Sequence, residues 1–299
     1  MSGLDLRLEG DALVTSDGSR RYRVTPSQIA LFGEAWLSTE GETQRAHYDA
    51  LAPKYLTNLE LPHTREYMAY LDRALLDALP ARSLGVVAEV CCGAGEGLRL
   101  LGSRAAIGIG VDVSTRMLEA ARADCGLDGT RAFVQGDATR LPLKSGAFDT
   151  VVMFGGIHHV NDRRRLFAEV ARVLKRRGLF VWREPVDDFI VWRALRAVIY
   201  RMASSLQADT ERPVRFEVTR RDLTDAGFVL DRWRTYGFLA YCFLMNSDVL
   251  AVNRLWQYVP AIRRLARFAT LLDDRTLRLP GLRHAGLIAI GSASKAALA

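Results

Sequence analysis

A glycine-rich stretch bordered by acidic residues is the part of the sequence best suited to holding a small molecule. Glu89 precedes the run 93–97, in which every second residue is glycine, and Asp112 follows further along the chain. Glycine adopts positive φ without a Cβ clash, so this run can turn tightly and approach a ligand closely. Residues 86–90 are apolar and β-prone, and residues 98–101 have a helical composition. This order predicts a strand, a glycine turn and a helix whose free N–H groups face the ligand.

The spacing of the glycines and acids indicates which ligand fits. A dinucleotide site uses Gly-x-Gly-x-x-Gly, whereas the spacing here is Gly-x-Gly-x-Gly. The run 107–112 predicts a second strand that ends in Asp112. An acid at the carboxyl end of a strand, beside a glycine turn, can accept both hydroxyls of a ribose. The stretch therefore predicts a site for an adenosine-bearing ligand that needs no diphosphate cradle.

Further motifs follow in a fixed order and carry a resemblance to a known family. They are 48–55, the glycine turn, Asp112 with 114–118, 135–138, 148–152 and 174–180. With these motifs the chain resembles the class I S-adenosylmethionine-dependent methyltransferases, in particular the group that includes quinone-biosynthesis and small-molecule methyltransferases. The resemblance covers about 47–184, plus a last strand near the end of the chain.

The resemblance implies an α/β fold and a cofactor. The fold is a Rossmann-like seven-stranded methyltransferase sheet with flanking helices, a small N-terminal β module and acceptor-side insertions. The cofactor is S-adenosyl-L-methionine. The residues expected to contact it are Tyr48, Tyr55, Glu89, Cys91, Gly93, Gly95, Asp112, Met117, Asp137, Ala138 and Phe154.

Some of these residues have a purely structural alternative. Tyr48 and Tyr55 lie two helical turns apart on one face and could close over the methionine end of the cofactor, or simply pack against the body of the domain. Met117 could lie against the adenine. Asp137 could accept a hydrogen bond from the adenine amino group, with the backbone of Ala138 at a ring nitrogen, or it could only cap the following turn.

Two adjacent histidines are the candidates for a catalytic base. The strand expected at 150–154 delivers His158 and His159 to the edge of the sheet where ligands bind in open α/β folds. The ordinary pKa of a histidine side chain lies near neutral pH, which suits proton transfer. The alternative role of this pair is packing or gating. Glu184 and Tyr241 are rivals. The Asn/Asp-Pro-Pro-aromatic motif with which similar enzymes methylate amino groups is absent from this strand. Its absence disfavours methylation of an amino group and favours O-methylation, with C-methylation second.

The chain is expected to divide into an N-terminal β-hairpin or meander at 1–36, a helical cap at 37–80 and a cofactor-binding domain at 81–299. Insertions at 186–218 and 237–281 are rich in aromatic residues and suggest an apolar or ring-bearing acceptor. Packing within the added helices is the alternative. The N-terminal module resembles one that holds zinc in relatives, but it has no cysteine, so a lid, a brace or an oligomer contact is expected instead.

Composition narrows the function classes. The chain has 299 residues, a net charge of +7 and a pI of about 9.5, and its four cysteines have no metal-ligand spacing. We expect a cytoplasmic protein, because no leader and no apolar run long enough to cross a bilayer is evident. The arginine excess could favour nucleic acid, anionic lipid or an acidic substrate, or could reflect a GC-rich genome.

Two alternatives to a small-molecule methyltransferase remain open. An RNA methyltransferase would use the positive charge, but the arginines are spread along the chain without a compact basic run. A peripheral membrane or partner-binding protein could place 254–256 and 262–268 on an anionic surface as a basic amphipathic helix. The expected partner is a small-molecule acceptor; peripheral membrane contact and a homo-oligomer are further expectations.

Overall fold

The computed structural model describes residues 5–33, 37–125, 129–202, 212–244 and 251–297. Four short strands come first: β1 (Leu6–Glu9), β2 (Ala12–Thr15), β3 (Arg21–Arg23) and β4 (Ala30–Leu31). The first three form an antiparallel sheet in sequence order, whereas β4 pairs with the edge of the main sheet. This arrangement confirms the N-terminal β module, while its limits at 1–36, like those of the other segments, stay a prediction.

Two helices follow, α1 (Thr39–Leu59) and α2 (Pro62–Ala78). Because proline usually interrupts a helix, the sequence predicts a break of the first helix at Ala52–Pro53. This prediction is wrong, because α1 continues through Pro53. Proline has no N–H to donate to the carbonyl four residues earlier, which is that of Asp49. Arg116 Nη1 donates to this carbonyl at 3.0 Å instead. The helix therefore passes the proline without leaving this acceptor unpaired.

The remaining chain alternates strands and helices and ends in an antiparallel strand. The elements are β5 (Gly85–Val90), α3 (Glu96–Leu101), β6 (Ala105–Asp112), α4 (Thr115–Cys125), β7 (Arg131–Gln135), β8 (Phe148–Phe154), α5 (Arg163–Val173), β9 (Leu174–Pro185), α6 (Ile190–Met202), α7 (Phe216–Asp225), β10 (Phe228–Tyr236), α8 (Leu239–Leu244), α9 (Ile262–Thr276) and β11 (Ile288–Lys295). Short 3₁₀ segments lie at 102–104, 157–159 and 251–258.

The main sheet has eight strands in the order β10-β11-β9-β8-β5-β6-β7-β4. Neighbours from β4 to β9 are parallel, and β11 is antiparallel to both β9 and β10. This confirms the Rossmann-like sheet, to which β4 adds one very short edge strand. The strand order reverses beside β5, and ligands bind at such a point, outside the carboxyl ends of the strands.

The core lies on both faces of the sheet. Along β8 and β9, Val152 and Val181 belong to one buried cluster, and Val151 and Phe180 belong to another. Side chains of a strand point to opposite faces in turn, so two apolar runs supply two cores. No described helix is long and apolar enough to cross a membrane.

Helix α5 is shorter than the sequence suggested. It was expected to continue to Gly178, but it ends at Val173 and β9 begins at once with Leu174. The pairing of β8 with β9 slips between Phe148 and Thr150, and Arg177 has a φ of 58°. Residues 175–178 therefore form an irregularity inside the strand, and Gly178 ends no helix.

Helix α7 also begins earlier than expected. The sequence suggested a capping box opening at Thr219, but α7 starts at Phe216 and Thr219 lies inside it. The carboxylate of Asp188 accepts from the N–H of Phe216 at 3.0 Å and takes the place of a local cap. A cap contributed from a distant part of the chain leaves no local sequence signal.

A capping substitution tests the start of α5. The sequence predicts a cap at Asn161 or Asp162, and in the structure the carboxylate of Asp162 accepts from the N–H of Arg165 at 3.0 Å. We expect Asp162→Ala to lower the free energy of unfolding by about 1 kcal/mol, because one N–H of the first turn loses its acceptor. Urea denaturation measures the change, with Asn161→Ala as the matched control. A larger loss in the control would contradict this assignment.

Candidate active site

A cavity of about 430 Å³ lies over the carboxyl ends of the central strands, beneath α1. This volume is within the range of small-molecule sites. One side of the cavity is polar and includes the glycine turn and Asp112, and the other is lined by apolar and aromatic side chains. Of the residues predicted from the sequence to act in cofactor binding or catalysis, all line this cavity except Gly95.

The glycine turn holds the carboxylate of Asp112. Its two oxygens accept from the N–H groups of Gly93 and Ser114, each at 2.9 Å. Burial raises the pKa of Asp112, and the backbone donors oppose this rise. Gly95, with a φ of 75°, precedes α3 and packs against Ala121, where an added Cβ would lie 3.2 Å from that side chain. Gly93 thus lines the cavity and binds Asp112, whereas Gly95 allows α3 and α4 to pack closely.

Glu89 fixes the first turn of the helix that follows. Its carboxylate accepts from the N–H groups of Gly97 at 2.7 Å and Leu98 at 2.8 Å. Burial raises the pKa of Glu89 to about 8, against the effect of these two donors. The side chain holds α3 to β5, and its contact with a cofactor stays a prediction.

Asp137 ties α1 to the end of β7. One oxygen accepts from Ser38 N at 3.0 Å and Ser38 Oγ at 2.6 Å, and the other accepts from Thr139 N at 2.8 Å and Thr139 Oγ1 at 2.7 Å. Burial alone would raise the pKa of Asp137, but these donors outweigh it and lower the pKa. Asp137 therefore caps the following turn, the structural alternative considered above, and its contact with adenine stays a prediction.

Polar contacts hold α1 over the cavity. Tyr55 is half-buried and hydrogen-bonds Glu96, whose negative charge, together with burial, raises the pKa of the phenol. Asp49 accepts from Ser114 Oγ at 2.6 Å, and Glu40 accepts from the N–H of Asn161 at 2.9 Å. Because few apolar side chains of α1 are buried, these contacts determine where the helix lies.

Both histidines reach the rim of the cavity, each with a different partner. His158 Nδ1 lies 2.9 Å from Glu184 Oε2, and His159 Nε2 lies 2.6 Å from Tyr48 Oη. The two imidazole rings are tilted by 42° to each other, with their centroids 3.8 Å apart. His158 is thus oriented by a carboxylate from β9, whereas His159 is tied to α1.

Glu184 is fully buried and organises the loop after β8. Its oxygens accept from the backbone N–H groups of Gly156 at 2.7 Å, Ile157 at 2.9 Å and His158 at 3.3 Å, in addition to the His158 ring. Burial raises the pKa of Glu184 to about 7, and the backbone donors act in the opposite direction. It was considered as a rival base, but the structure places it behind His158 as an orienting group.

Arg183 is a charged residue of the site to which the sequence analysis assigned no role. Arg183 is buried and lines the cavity; Nη1 lies 2.6 Å from Asp72, Nη2 lies 3.5 Å from Glu96, and the guanidinium lies 4.9 Å from the centre of the Phe154 ring. The one signal available was its position at the end of an apolar strand. Its partners come from α2 and α3, far away in sequence.

The two expected insertions meet at the apolar side of the cavity. Trp192 of α6 and Tyr241 of α8 have ring centroids 5.9 Å apart in an edge-on arrangement. The other apolar residues on this side are Met68, Leu71, Val160, Pro185, Val186, Pro213, Leu287 and Ile288. Aromatic residues from both insertions therefore face the cavity as well as each other.

A doubly wound sheet, a glycine turn after β5 and an acid at the end of β6 define a class I S-adenosylmethionine-dependent methyltransferase. The chain belongs to this family. Residues 88–182 match the family model described as a methyltransferase domain.

Curated relatives agree with this assignment. The demethylmenaquinone methyltransferase of Renibacterium salmoninarum is 32% identical over 178 residues, which cover 54% of this chain and 71% of the relative. The 27-O-demethylrifamycin SV methyltransferase of Amycolatopsis mediterranei is 28% identical over 185 residues, which cover 58% of this chain and 63% of the relative. The chain spans 50% and 58% of the length of two other relatives, from Methanocaldococcus jannaschii and Thermotoga maritima.

A solved structure shares the fold. The [4+2]-cyclase SpnF superposes with a TM-score of 0.59 at 19% identity, covering 86% of this chain and 97% of that protein. At this identity the likeness concerns the fold alone.

The cofactor is S-adenosylmethionine, and the cavity fits it. The partly buried carboxylate of Asp112 ends β6 beside the turn at Gly93, and an acid in this position can accept two ribose hydroxyls. Cys91, Met117, Ala138 and Phe154 line the same cavity. Which of these side chains contact the cofactor stays a prediction.

Proposed function

We propose that the protein methylates a hydroxyl group of a small, apolar or ring-bearing acceptor, with His158 as the general base. The observation that carries this proposal is the 2.9 Å contact of His158 Nδ1 with the buried Glu184 carboxylate, at the rim of a cavity with an apolar wall. A hydroxyl must lose its proton as it is methylated, so a base in reach of the acceptor accelerates this reaction.

The contact with Glu184 selects the tautomer of His158. A carboxylate accepts, so Nδ1 carries the proton and Nε2, on the opposite edge of the ring, is the basic atom. When bound, the cofactor supplies a methyl group activated by a positive sulfur. As the acceptor oxygen formed its bond to this methyl group, the methyl–sulfur bond would break with its electron pair remaining on sulfur. The O–H bond would break at the same time, and its proton would pass to His158 Nε2. The anionic form of Glu184 then stabilises the imidazolium.

The remaining cavity residues would position the acceptor. Holding the two reacting groups close and in line is the main contribution of the protein to such a displacement. The Trp192–Tyr241 pair offers aromatic surface for a ring or chain, and Arg196 lies one helical turn from Trp192 on the same wall. The names of the two relatives described above point to ring-bearing acceptors, and one of them specifies an oxygen.

The position of the transferred methyl group tests the proposal. The full chain is incubated with S-adenosylmethionine that carries a ¹³C-labelled methyl group and with a panel of phenols, alcohols and quinols. The panel includes the methyl ether of each compound as its matched control. We expect an O–CH₃ carbon resonance from hydroxyl compounds and no transfer to the ethers. Labelling of a carbon or nitrogen atom, or equal labelling of the ethers, would contradict O-methylation.

A further inference from the structure

An apolar and basic surface lies on the side of the molecule formed by α9 and the 3₁₀ segment before it. We call it the α9 face. Its exposed large apolar side chains are Leu255, Tyr258, Leu265, Phe268, Leu271, Leu272 and Leu279. Phe268 is 65% exposed and Tyr258 is 76% exposed. Such a concentration of exposed large apolar residues marks a contact site in most proteins.

Helix α9 presents this face because it has two apolar sides. Ile262 and Ala266 are buried against the domain, whereas Leu265, Phe268 and Leu272 recur at helical spacing and are exposed. Residues spaced by three and four positions share one side of a helix. Helix α9 therefore carries an outward apolar stripe that nothing in the described chain covers.

The exposed charges of the α9 face are mainly positive. Within 255–279 the basic residues are Arg263, Arg264, Arg267, Arg275 and Arg278, and the acids are Asp273 and Asp274. Asp273 is fully buried and accepts from the N–H groups of 238–240. Asp274 accepts from Tyr70 Oη at 2.8 Å and lies 4.0 Å from Arg234. Both acids are thus engaged with the body of the domain, while the arginines remain at the surface.

One acid from a neighbouring helix reaches this surface. Glu66 of α2 pairs with Arg267 at 2.6 Å and is itself largely buried. It neutralises Arg267 but leaves Arg263, Arg264, Arg275 and Arg278 as positive charges beside the apolar stripe. A partner that covers the α9 face must therefore offer both apolar surface and negative charge.

The α9 face lies directly behind the wall of the active-site cavity. Helix α9 packs against α2 and α8. These helices contribute Met68 and Tyr241 to the apolar side of the cavity. Whatever binds the α9 face is therefore one helix layer away from the proposed acceptor.

We propose that the α9 face docks on a membrane surface that contains anionic lipid. Leucine and phenylalanine side chains would enter the headgroup boundary, and the arginines would pair with lipid phosphates. A second copy of this chain fits less well, because two identical faces would bring the same arginines together. Nucleic acid offers the charge but no apolar layer for Leu265 and Phe268. Membrane docking does not depend on methyl transfer and can be tested without it.

Vesicle flotation with the full chain tests this proposal. The probes are vesicles of phosphatidylcholine alone and of phosphatidylcholine mixed with phosphatidylglycerol. We expect binding only to the anionic vesicles and a decrease as salt is raised, because the charge component is screened. Equal binding to both vesicle types, or no binding to either, would overturn the proposal.

Two sets of substitutions separate the apolar and basic components. Leu265→Gln, Phe268→Gln and Leu272→Gln together should abolish flotation. Arg263→Gln with Arg264→Gln should weaken it roughly 25-fold, at about fivefold for each basic residue. Matched controls are Val218→Gln with Val229→Gln, and Arg220→Gln with Arg221→Gln, which remove exposed residues of the same kinds elsewhere.

The same variants distinguish a membrane from the other possible partners of the α9 face. If the controls lose flotation as much as the α9 variants, the effect is not local and the proposal fails. If the glutamine triple variant changes the molecular mass in light scattering and leaves flotation intact, the α9 face joins two copies of the chain and the proposal is overturned. Unchanged melting temperatures in all variants show that the fold is intact.

Discussion

Replacing His158 with alanine should lower kcat for a hydroxyl acceptor by a factor of about 10²–10⁴, the contribution typical of a positioned general base. Affinity for S-adenosylmethionine should stay within a factor of about 2, because in the proposed mechanism His158 faces the acceptor and Asp112 remains in place. Single-turnover rates measure the first effect, and isothermal titration calorimetry measures the second.

The neighbouring histidine provides the matched control. His159→Ala removes the same kind of ring, but it breaks the 2.6 Å contact with Tyr48 rather than the contact with Glu184. We expect this variant mainly to raise KM, because α1 would be held less firmly over the cavity. Added imidazole should restore part of the activity of His158→Ala and none of that of His159→Ala. The reverse pattern would assign the base to His159.

The pH dependence of kcat should reflect the ionisation of Glu184. Burial raises its pKa to about 7, and only its ionised form can orient the neutral ring and stabilise the imidazolium. Activity should therefore rise with pH through about 7 and be lost as the carboxylate is protonated below it. Glu184→Gln should lower kcat and flatten this limb of the profile. A profile unchanged in that variant would assign the limb to another group.

The sequence was sufficient to locate the central strands along the chain and the glycine turn between them, since both depend on local patterns. Alternate glycines alone are weak evidence, because glycine occurs in many surface loops. The apolar run before them and the acid that ends the next strand, at a fixed edge of the sheet, made the pattern specific. The predicted site residues accordingly converge on one cavity, with Gly95 as the exception.

The features that the sequence could not reveal depend on contacts between residues far apart in the chain. The course of α1 beyond Pro53 involves Arg116, and the start of α7 involves Asp188. The placement of Glu184 behind His158 required the register between β8 and β9, which an irregularity at 175–178 alters. The sequence assigned no role to Arg183 because Asp72 and Glu96 join it only in the folded chain. Tertiary contacts override local propensity at each of these points.

Replacing Asp112 with alanine should weaken binding of S-adenosylmethionine by about 1–3 kcal/mol, since a buried ribose would lose a charged hydrogen-bond partner. This corresponds to a roughly 5- to 150-fold rise in Kd. Isothermal titration calorimetry on the full chain measures the change without any acceptor, so the result does not depend on which atom is methylated.

A second aspartate of the same sheet separates loss of contact from loss of fold. Asp149 lies near the start of β8, away from the cavity, where it pairs with Lys175 at 2.8 Å and accepts from the N–H of Val86 at 2.9 Å. Asp149→Ala should cost stability but leave the affinity for S-adenosylmethionine unchanged. Because Asp112 also accepts from Gly93 and Ser114, its variant is expected to lose stability as well. An equal loss of affinity in both variants would mean that the fold, rather than the carboxylate at the end of β6, determines binding.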